Sequence, residues 1–410
     1  MNTEVLLVIA LLIAFVLSEA CKHLKIPRVI GQVGTGIFLG ATFFREWFTP
    51  LVSADFSLLA GMGLVLMFFF VGLQINLRDL KNNAVAGAII SLFKTPLPIL
   101  GAVFILPLVG FDFNTSLIIG IALSVSSQAV ALDFLDELGM LKSRLGKLVV
   151  TAGAVDDVFG FAIISLALSY IHLTVNPSTP FQIAGGFIAF VLILILCRYT
   201  VIPFLLKLFE EEKSNTHLFM GSMVLLFLMV VLGDYFGIGA LIGAFTGGML
   251  VRHTLLSADH HRPWEEHKIA KQIQVVSFGF FVPIFFIWVG FNTNIGAVLS
   301  DPAFTVIAVS IAFIGTIGGT TLGAVLAKHT PLEGFTAGWG LNAKGDTELA
   351  IATAALQAGA ITASIYSGLI VMSVFATLVS PIVFRFLVQR HAVGEEMGKI
   401  GLIHGSTRAI

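Results

Sequence analysis

The sequence predicts an all-α membrane protein. It is expected to have thirteen transmembrane helices, in two inverted six-helix repeats joined by a linker helix. Three observations predict it. Of 410 residues, 57% are hydrophobic and only 11% charged, where soluble domains carry roughly 25% charged residues. The apolar residues fall in runs long enough to cross a bilayer, about 20 residues each. Lysines and arginines fall almost wholly in alternate connections between those runs, as the positive-inside rule requires.

The runs occupy about 4–21, 29–44, 57–76, 84–109, 114–135, 146–171, 181–200, 216–234, 237–251, 273–291, 303–327, 332–357 and 364–388, numbered here as spans 1 to 13. Span 1 is not a signal peptide. Glu4 precedes the apolar run, no Lys or Arg does, and no small-residue cleavage site follows. Span 9 is short and glycine-rich (GIGALIGAFTGGML). The segment 201–213 (VIPFLLKLFEEEK) reads as an interfacial linker. The connection 252–272 (RHTLLSADHHRPWEEHKIAKQ) is His-rich, and a solvated connector explains it better than a metal site. No extramembrane domain fits. Cys21 and Cys197 offer neither a disulfide framework nor metal-ligand spacing. A net charge of −1 gives no sign of a nucleic-acid partner.

Charge sets the topology. Lys22, Lys25, Arg28, Arg78, Lys81, Lys94, Lys142, Arg144, Lys147, Arg198, Lys207, Lys213, Arg252, Arg262, Lys268, Lys271, Lys328, Arg385, Arg390, Lys399 and Arg408 fall on one side. Arg45 lies alone on the other, and Lys344 lies within a span. The N-terminus is therefore expected outside and the C-terminus in the cytoplasm, in the cell membrane. Span 1 then runs inward and span 8 outward, so the two sets of six have opposite orientation, a pattern common in secondary transporters.

The chemistry concentrates in three spans. Span 6 (VVTAGAVDDVFGFAIISLALSYIHL) carries Asp156 and Asp157 about ten residues, or roughly 15 Å, from its start. Carboxylates at that depth are expensive, so they mark function by default. A carboxylate away from water is stable once a proton or a cation neutralises it. Adjacent helical residues diverge by about 100°, so one acid can face a cavity while the other pairs with a neighbouring helix. The structural alternative is a pair of protonated acids in a hydrogen-bond network, a role one polar residue would fill more cheaply. Thr151 is a supporting polar residue of the same span.

Span 5 (LSVSSQAVALDFLDELG) clusters Ser124, Ser126, Ser127 and Gln128 at mid-depth. Serines compete for helix hydrogen bonds and stabilise an unwound turn, whose carbonyl oxygens suit Na⁺ or K⁺. Small residues for tight packing are the plainer explanation. Span 12 (GFTAGWGLNAKGDTELAIATAALQAG) holds Asn342, Lys344, Asp346 and Glu348 around Gly340 and Gly345. It stands in the second six where span 5 stands in the first. Paired interrupted helices at corresponding positions point to a transport site. Lys344 is expected to neutralise half-helix C-termini or a carboxylate.

These residues resemble the monovalent cation:proton antiporter superfamily, in the branch of bacterial sodium/proton antiporters and potassium-efflux antiporters. The carriers are GQVGTGIFLG, FFFVGLQINLRDL, the Ser-Ser run of span 5, DELGMLKSRLGKLVVTAGAVDDVFG, IGALIGAFTGGML, FVPIFFIWVGFNTNI and GLNAKGDTELA. The resemblance covers essentially the whole chain. It implies a sodium/proton antiporter-like fold with spans 5 and 12 as crossed, discontinuous helices. It implies a single transport domain: a mobile core from about 84–171 and 303–388, a scaffold from about 4–76 and 216–291, and a linker helix at about 181–213. It implies a homodimer through spans 1 and 8 and elevator-like alternating access. Asp157 matches the ion-binding acid and Asp156 its neighbour. Lys344 matches the basic residue of the second broken helix, and Asp346 and Glu348 match positions that variously carry an acid.

One departure stands out. Relatives with an Asp-Asp pair often carry a lysine in the span before the second broken helix, paired with the first Asp. Thr316 stands there in this chain, so Asp156 is expected to be protonated or paired elsewhere. Electrogenic exchange therefore does not follow from the Asp-Asp pair.

The mechanism implied is competition. Asp157 binds a proton or a monovalent cation (Na⁺, K⁺ or Li⁺), with Ser127 and span 5 carbonyls as further ligands and Ser126 beside them. No cofactor or enzymatic activity is expected, and any regulatory cytoplasmic domain or subunit would lie outside this chain. Sodium-coupled solute symport is the alternative within transport. An intramembrane aspartyl protease fits poorly, because Gly233-Asp234 and Gly345-Asp346 lack the Tyr-Asp context. The six-one-six inversion disfavours a passive channel.

Overall fold

The computed structural model describes residues 3–24, 26–48, 54–74, 84–127, 129–141, 143–153, 155–156, 192, 196, 199–200, 215–236, 239–252, 268–345 and 347–406. Every regular element among them is helical. Among the described residues, six helices are long and apolar enough to cross a membrane, and three more are apolar but shorter. The predicted linker at 181–213, the connection at 253–267 and the second half of span 6 lie outside the described residues, apart from residues 192, 196, 199 and 200.

Chain contacts divide the protein into two compact units. The first comprises Met1–Asp79, Phe161–Pro302 and Leu349–Ile370, and the second Leu80–Gly160, Ala303–Glu348 and Val371–Ile410.

In the first unit, glycines let helix backbones touch. A methyl group on Gly36 would sit 2.1 Å from the Ile287 carbonyl oxygen, and one on Gly290 would sit 2.1 Å from that of Val33. Helices Arg28–Gly40 and Val282–Phe291 therefore cross at these two glycines. Gly72 and Gly248 serve helices Ala54–Gln74 and Ala240–Val251 in the same way, against the carbonyls of Phe245 and Phe69. The glycines that shortened span 9 in the sequence thus serve close packing, the main source of helix association in lipid.

In the second unit, the glycines of helix Ala303–Leu326 face the fourth predicted span. Methyls on Gly315, Gly319 and Gly323 would meet Pro98, Lys94 and Ile90 at 2.6–2.8 Å. That span is helix Ala84–Lys94, then Pro96–Ile105. Pro96 and Pro98 lack N–H donors, but Thr95 still donates to the Ser91 carbonyl at 3.0 Å, so the chain stays helical across the joint. Lys94 is therefore not a connection residue, as the charge pattern placed it. It is fully buried inside a span running from Val85 to Val109. The positive-inside rule describes residues at span ends, so it cannot recognise a lysine kept at mid-depth by a partner.

The two broken helices are present. Helix Phe113–Ser124 starts at Asp112, which accepts from the Thr115 N–H; hydrogen bonds from Thr115 hold its carboxyl below the usual carboxylate range. It ends at Val125, whose backbone is extended, and Ala129–Glu137 resumes the helix. Pro331–Gly340 and Thr347–Gln357 repeat the pattern. An apolar cluster that includes Ala131, Phe134, Leu148, Val149, Ala152, Ala337, Leu341 and Phe384 packs beside both.

Candidate functional site

The breaks meet each other. The Ser127 N–H donates to the Ala343 carbonyl at 2.8 Å. Lys344 Nζ reaches back to the carbonyls of Leu123 (2.7 Å) and Val125 (2.6 Å). A methyl on Gly340 would sit 3.2 Å from Ala131. Contacts pairing 123, 127 and 131 with 344, 343 and 340 show two interrupted segments crossing in opposite directions. The C-terminal ends of helices Phe113–Ser124 and Pro331–Gly340 therefore converge, each carrying about half a negative charge. The Lys344 ammonium, fully buried, donates to the orphan carbonyls of the first.

The surrounding polar residues complete this arrangement. The Lys344 N–H donates to Thr377 Oγ1 at 3.2 Å, and Asn342 Nδ2 donates to Ser380 Oγ at 3.0 Å. Ser373 Oγ donates to Glu348 Oε1 at 2.6 Å. Replacing Lys344 with Gln is expected to destabilise the protein by about 1.5–3 kcal/mol for each charge-assisted hydrogen bond lost, while Lys344→Arg retains most of the stability. Melting temperatures in detergent would check this.

Asp156 lies in the helix that begins at residue 144, and is buried. Its partner is the residue the sequence reading placed elsewhere. Lys94 Nζ donates to Asp156 Oδ2 as a fully buried ion pair, and to Ser126 Oγ at 2.6 Å. Ser126 Oγ lies 3.3 Å from Asp156 Oδ2, and Thr95 Oγ1 lies 3.3 Å from Oδ1. Lys94 stands ten residues into its helix and Asp156 twelve into its own, so both lie roughly 15–18 Å deep. Asp156 is thus paired from the fourth span. Thr316 is buried, and among the described residues its hydroxyl has no hydrogen-bond partner.

The structure therefore brings Asp156 and Ser126 together in one network, and Ser127 and Lys344 together at the crossing. Asn342 and Glu348 take partners on the helix that carries Ser373 and Ser380. Thr151 is half-buried, and its carbonyl packs against Gly87, where a methyl would sit 2.7 Å away. Asp157, Gln128 and Asp346 lie outside the described residues. Sequence reasoning missed Lys94, Thr95, Thr377 and Ser373. A lysine flanked by AVAGAIISLF and TPLPILGAVF was the available signal for the first two.

Among the described residues, the buried Asp156 carboxylate is paired with Lys94, and the carbonyls of Leu123 and Val125 at the first break accept from Lys344.

A family profile described as "Sodium/hydrogen exchanger, transmembrane" matches residues 7–390. The Na(+)/H(+) antiporter of Enterococcus hirae is 27% identical over 84% of this chain and 87% of its own length. The Na(+)/H(+)-K(+) antiporter GerN of Bacillus cereus is 22% identical over 82% and 83%. The solved structure of the sodium proton antiporter MjNhaP1 from Methanocaldococcus jannaschii at pH 8 superposes with a TM-score of 0.62, at 16% identity, over 94% of this chain and 97% of that one. At that identity the superposition speaks for the fold.

Proposed function

The chain belongs to the sodium/hydrogen exchanger family of multi-pass membrane antiporters, and from that premise we propose how it exchanges a monovalent cation for protons. Asp157 binds the cation or a proton by turns. Ser127 and carbonyls of the unwound segment after Ser124 supply further oxygens, with Asp156 and Ser126 beside them. Either ligand neutralises the site, and a neutral site can cross an apolar barrier that a bare carboxylate cannot.

The observation that carries this reading is the buried network of Lys94, Asp156 and Ser126 beside two crossed helix breaks. Such breaks with ionisable side chains at mid-depth mark transport sites. Na⁺ and K⁺ are both candidates, since oxygen ligands accept both and the similar antiporters are named for sodium or for sodium and potassium together.

The thirteen-span inverted repeat, the elevator motion and the core-and-scaffold division belong to the same proposal. They are supported by the matched breaks and by the two compact units, whose limits follow the predicted division except that Leu349–Ile370 and residues 161–171 group with the first unit. A dimer through spans 1 and 8, an external N-terminus and a place in the plasma membrane complete it.

The test uses proteoliposomes with a trapped pH dye and an imposed proton gradient. Na⁺, K⁺, Li⁺ and choline chlorides are added in turn. Collapse of the gradient by particular alkali cations, and not by choline, is the expected result and names the ion. No cation-dependent proton movement from folded, reconstituted protein would refute the proposal.

A further inference from the structure

A second charged cluster lies at the far end of the site-bearing helices, within the second unit. Arg144 opens the helix that carries Asp156. Glu333 stands in the first turn of helix Pro331–Gly340, which leads to Asn342 and Lys344. Arg144 Nε lies 3.0 Å from Glu333 Oε1, and Arg144 Nη2 donates to the Lys328 carbonyl at 3.1 Å. Glu333 Oε2 also accepts from the Thr330 N–H (2.8 Å) and Thr330 Oγ1 (3.0 Å) in a capping box, and His329 Nδ1 lies 3.6 Å from it. Lys328 has a φ of +66°, a left-handed conformation that is uncommon outside glycine.

We propose that Arg144 is a positioning residue of the exchange reaction: its guanidinium fixes the axial register between the helix bearing Asp156 and the segment bearing Lys344. This rests on the site proposed above. The two elements otherwise share an apolar cluster in which Leu148 and Val149 join Ala337 and Leu341. Apolar packing is non-directional, so it adds no directional restraint of its own against a slip of one residue, about 1.5 Å. The same slip would pull either Asp156 from Ser126 or Ala343 from Ser127, since both serines lie on one segment. A forked guanidinium holding both a carboxylate and a carbonyl is directional and resists that slip from about 18 Å away. Lys328 is the left-handed residue of the cap that ends helix Ala303–Leu326, with His329 N–H on the Ala324 carbonyl at 2.9 Å and Lys328 N–H on that of Val325 at 3.0 Å, and its own carbonyl accepts from Arg144.

Arg144→Ala, Arg144→Lys and Glu333→Gln would be reconstituted and assayed for the cation concentration at half-maximal exchange, the maximal rate and the melting temperature. Displacements of about an ångström at a reacting site can cost 100-fold, so Arg144→Ala and Glu333→Gln are each expected to raise the half-saturating concentration about 10-fold. The double variant should be no worse than either alone. Arg144→Lys, which can reach Glu333 without the fork, should fall between. Unchanged half-saturation with only a lower melting temperature would make the cluster a structural cap and overturn the proposal. If Arg144→Ala does not fold, Arg144→Lys and Glu333→Gln decide by the same reading. The wild type and Asp157→Asn run alongside: a silent wild type or an active Asp157→Asn would indict the proposed site instead.

Discussion

Replacing Lys94 with methionine is expected to destabilise the protein strongly. Methionine has a similar length and keeps most of the packing against helix Ala303–Leu326, so the loss isolates the charge. What remains is the Asp156 carboxylate, 6% exposed, without its ammonium. Breaking a buried pair from one side costs roughly 3–5 kcal/mol, because the other charge stays behind uncompensated. That is a large share of a stability that is typically about 5–15 kcal/mol. Lys94→Met/Asp156→Asn should recover most of the loss, since asparagine can still accept from Thr95 and Ser126 without carrying a charge. Unfolding in detergent would measure both variants. Equal stability of Lys94→Met and wild type would show that the pair does not hold this part of the protein together.

Lys94 also shows where sequence reading stops. The helical class, most span limits and both breaks were legible, because they follow from local composition. Long apolar runs make spans, serines and glycines weaken helices, and Asn342 to Glu348 could not sit in hydrocarbon without a reason. The pairing was not legible. Nothing local to Lys94 states that Asp156, 62 residues later, lies at its own depth. That depends on helix packing set by Gly315, Gly319 and Gly323 on one side and Gly87 on the other. Counting Lys94 among the connection charges was the natural error of a rule that looks only at position along the chain.

Thr316 shows the converse. The resemblance marks it as a missing lysine and leaves Asp156 without that partner. In three dimensions the charge comes from another helix. Glycines in helix Ala303–Leu326 bring its backbone against Lys94 itself, so a short side chain at 316 and a long one at 94 occupy neighbouring places. Of the two outcomes expected for Asp156, protonation or pairing elsewhere, the structure shows the second, because the physical requirement is a buried positive charge beside Asp156, from whichever helix supplies it.

Asp157→Asn is expected to abolish exchange while leaving the protein folded. Asparagine matches aspartate in size and cannot take up either ion by charge. In the proposed cycle Asp157 alone alternates between proton and cation, so no remaining group replaces it. Adjacent helical residues diverge by about 100°, so this change does not directly remove the bonds that Lys94, Ser126 and Thr95 make to Asp156. The melting temperature should therefore move little. Asp156→Asn should behave in the opposite way. It strands the buried Lys94 ammonium, lowers stability, and alters the pH dependence of exchange more than it stops exchange. Running both variants in the same proteoliposome assay separates the two acids, which sequence proximity alone cannot. Full activity in Asp157→Asn would remove that residue from the cycle. A dead Asp156→Asn beside an active Asp157→Asn would move the transported ion to the acid that Lys94 already holds.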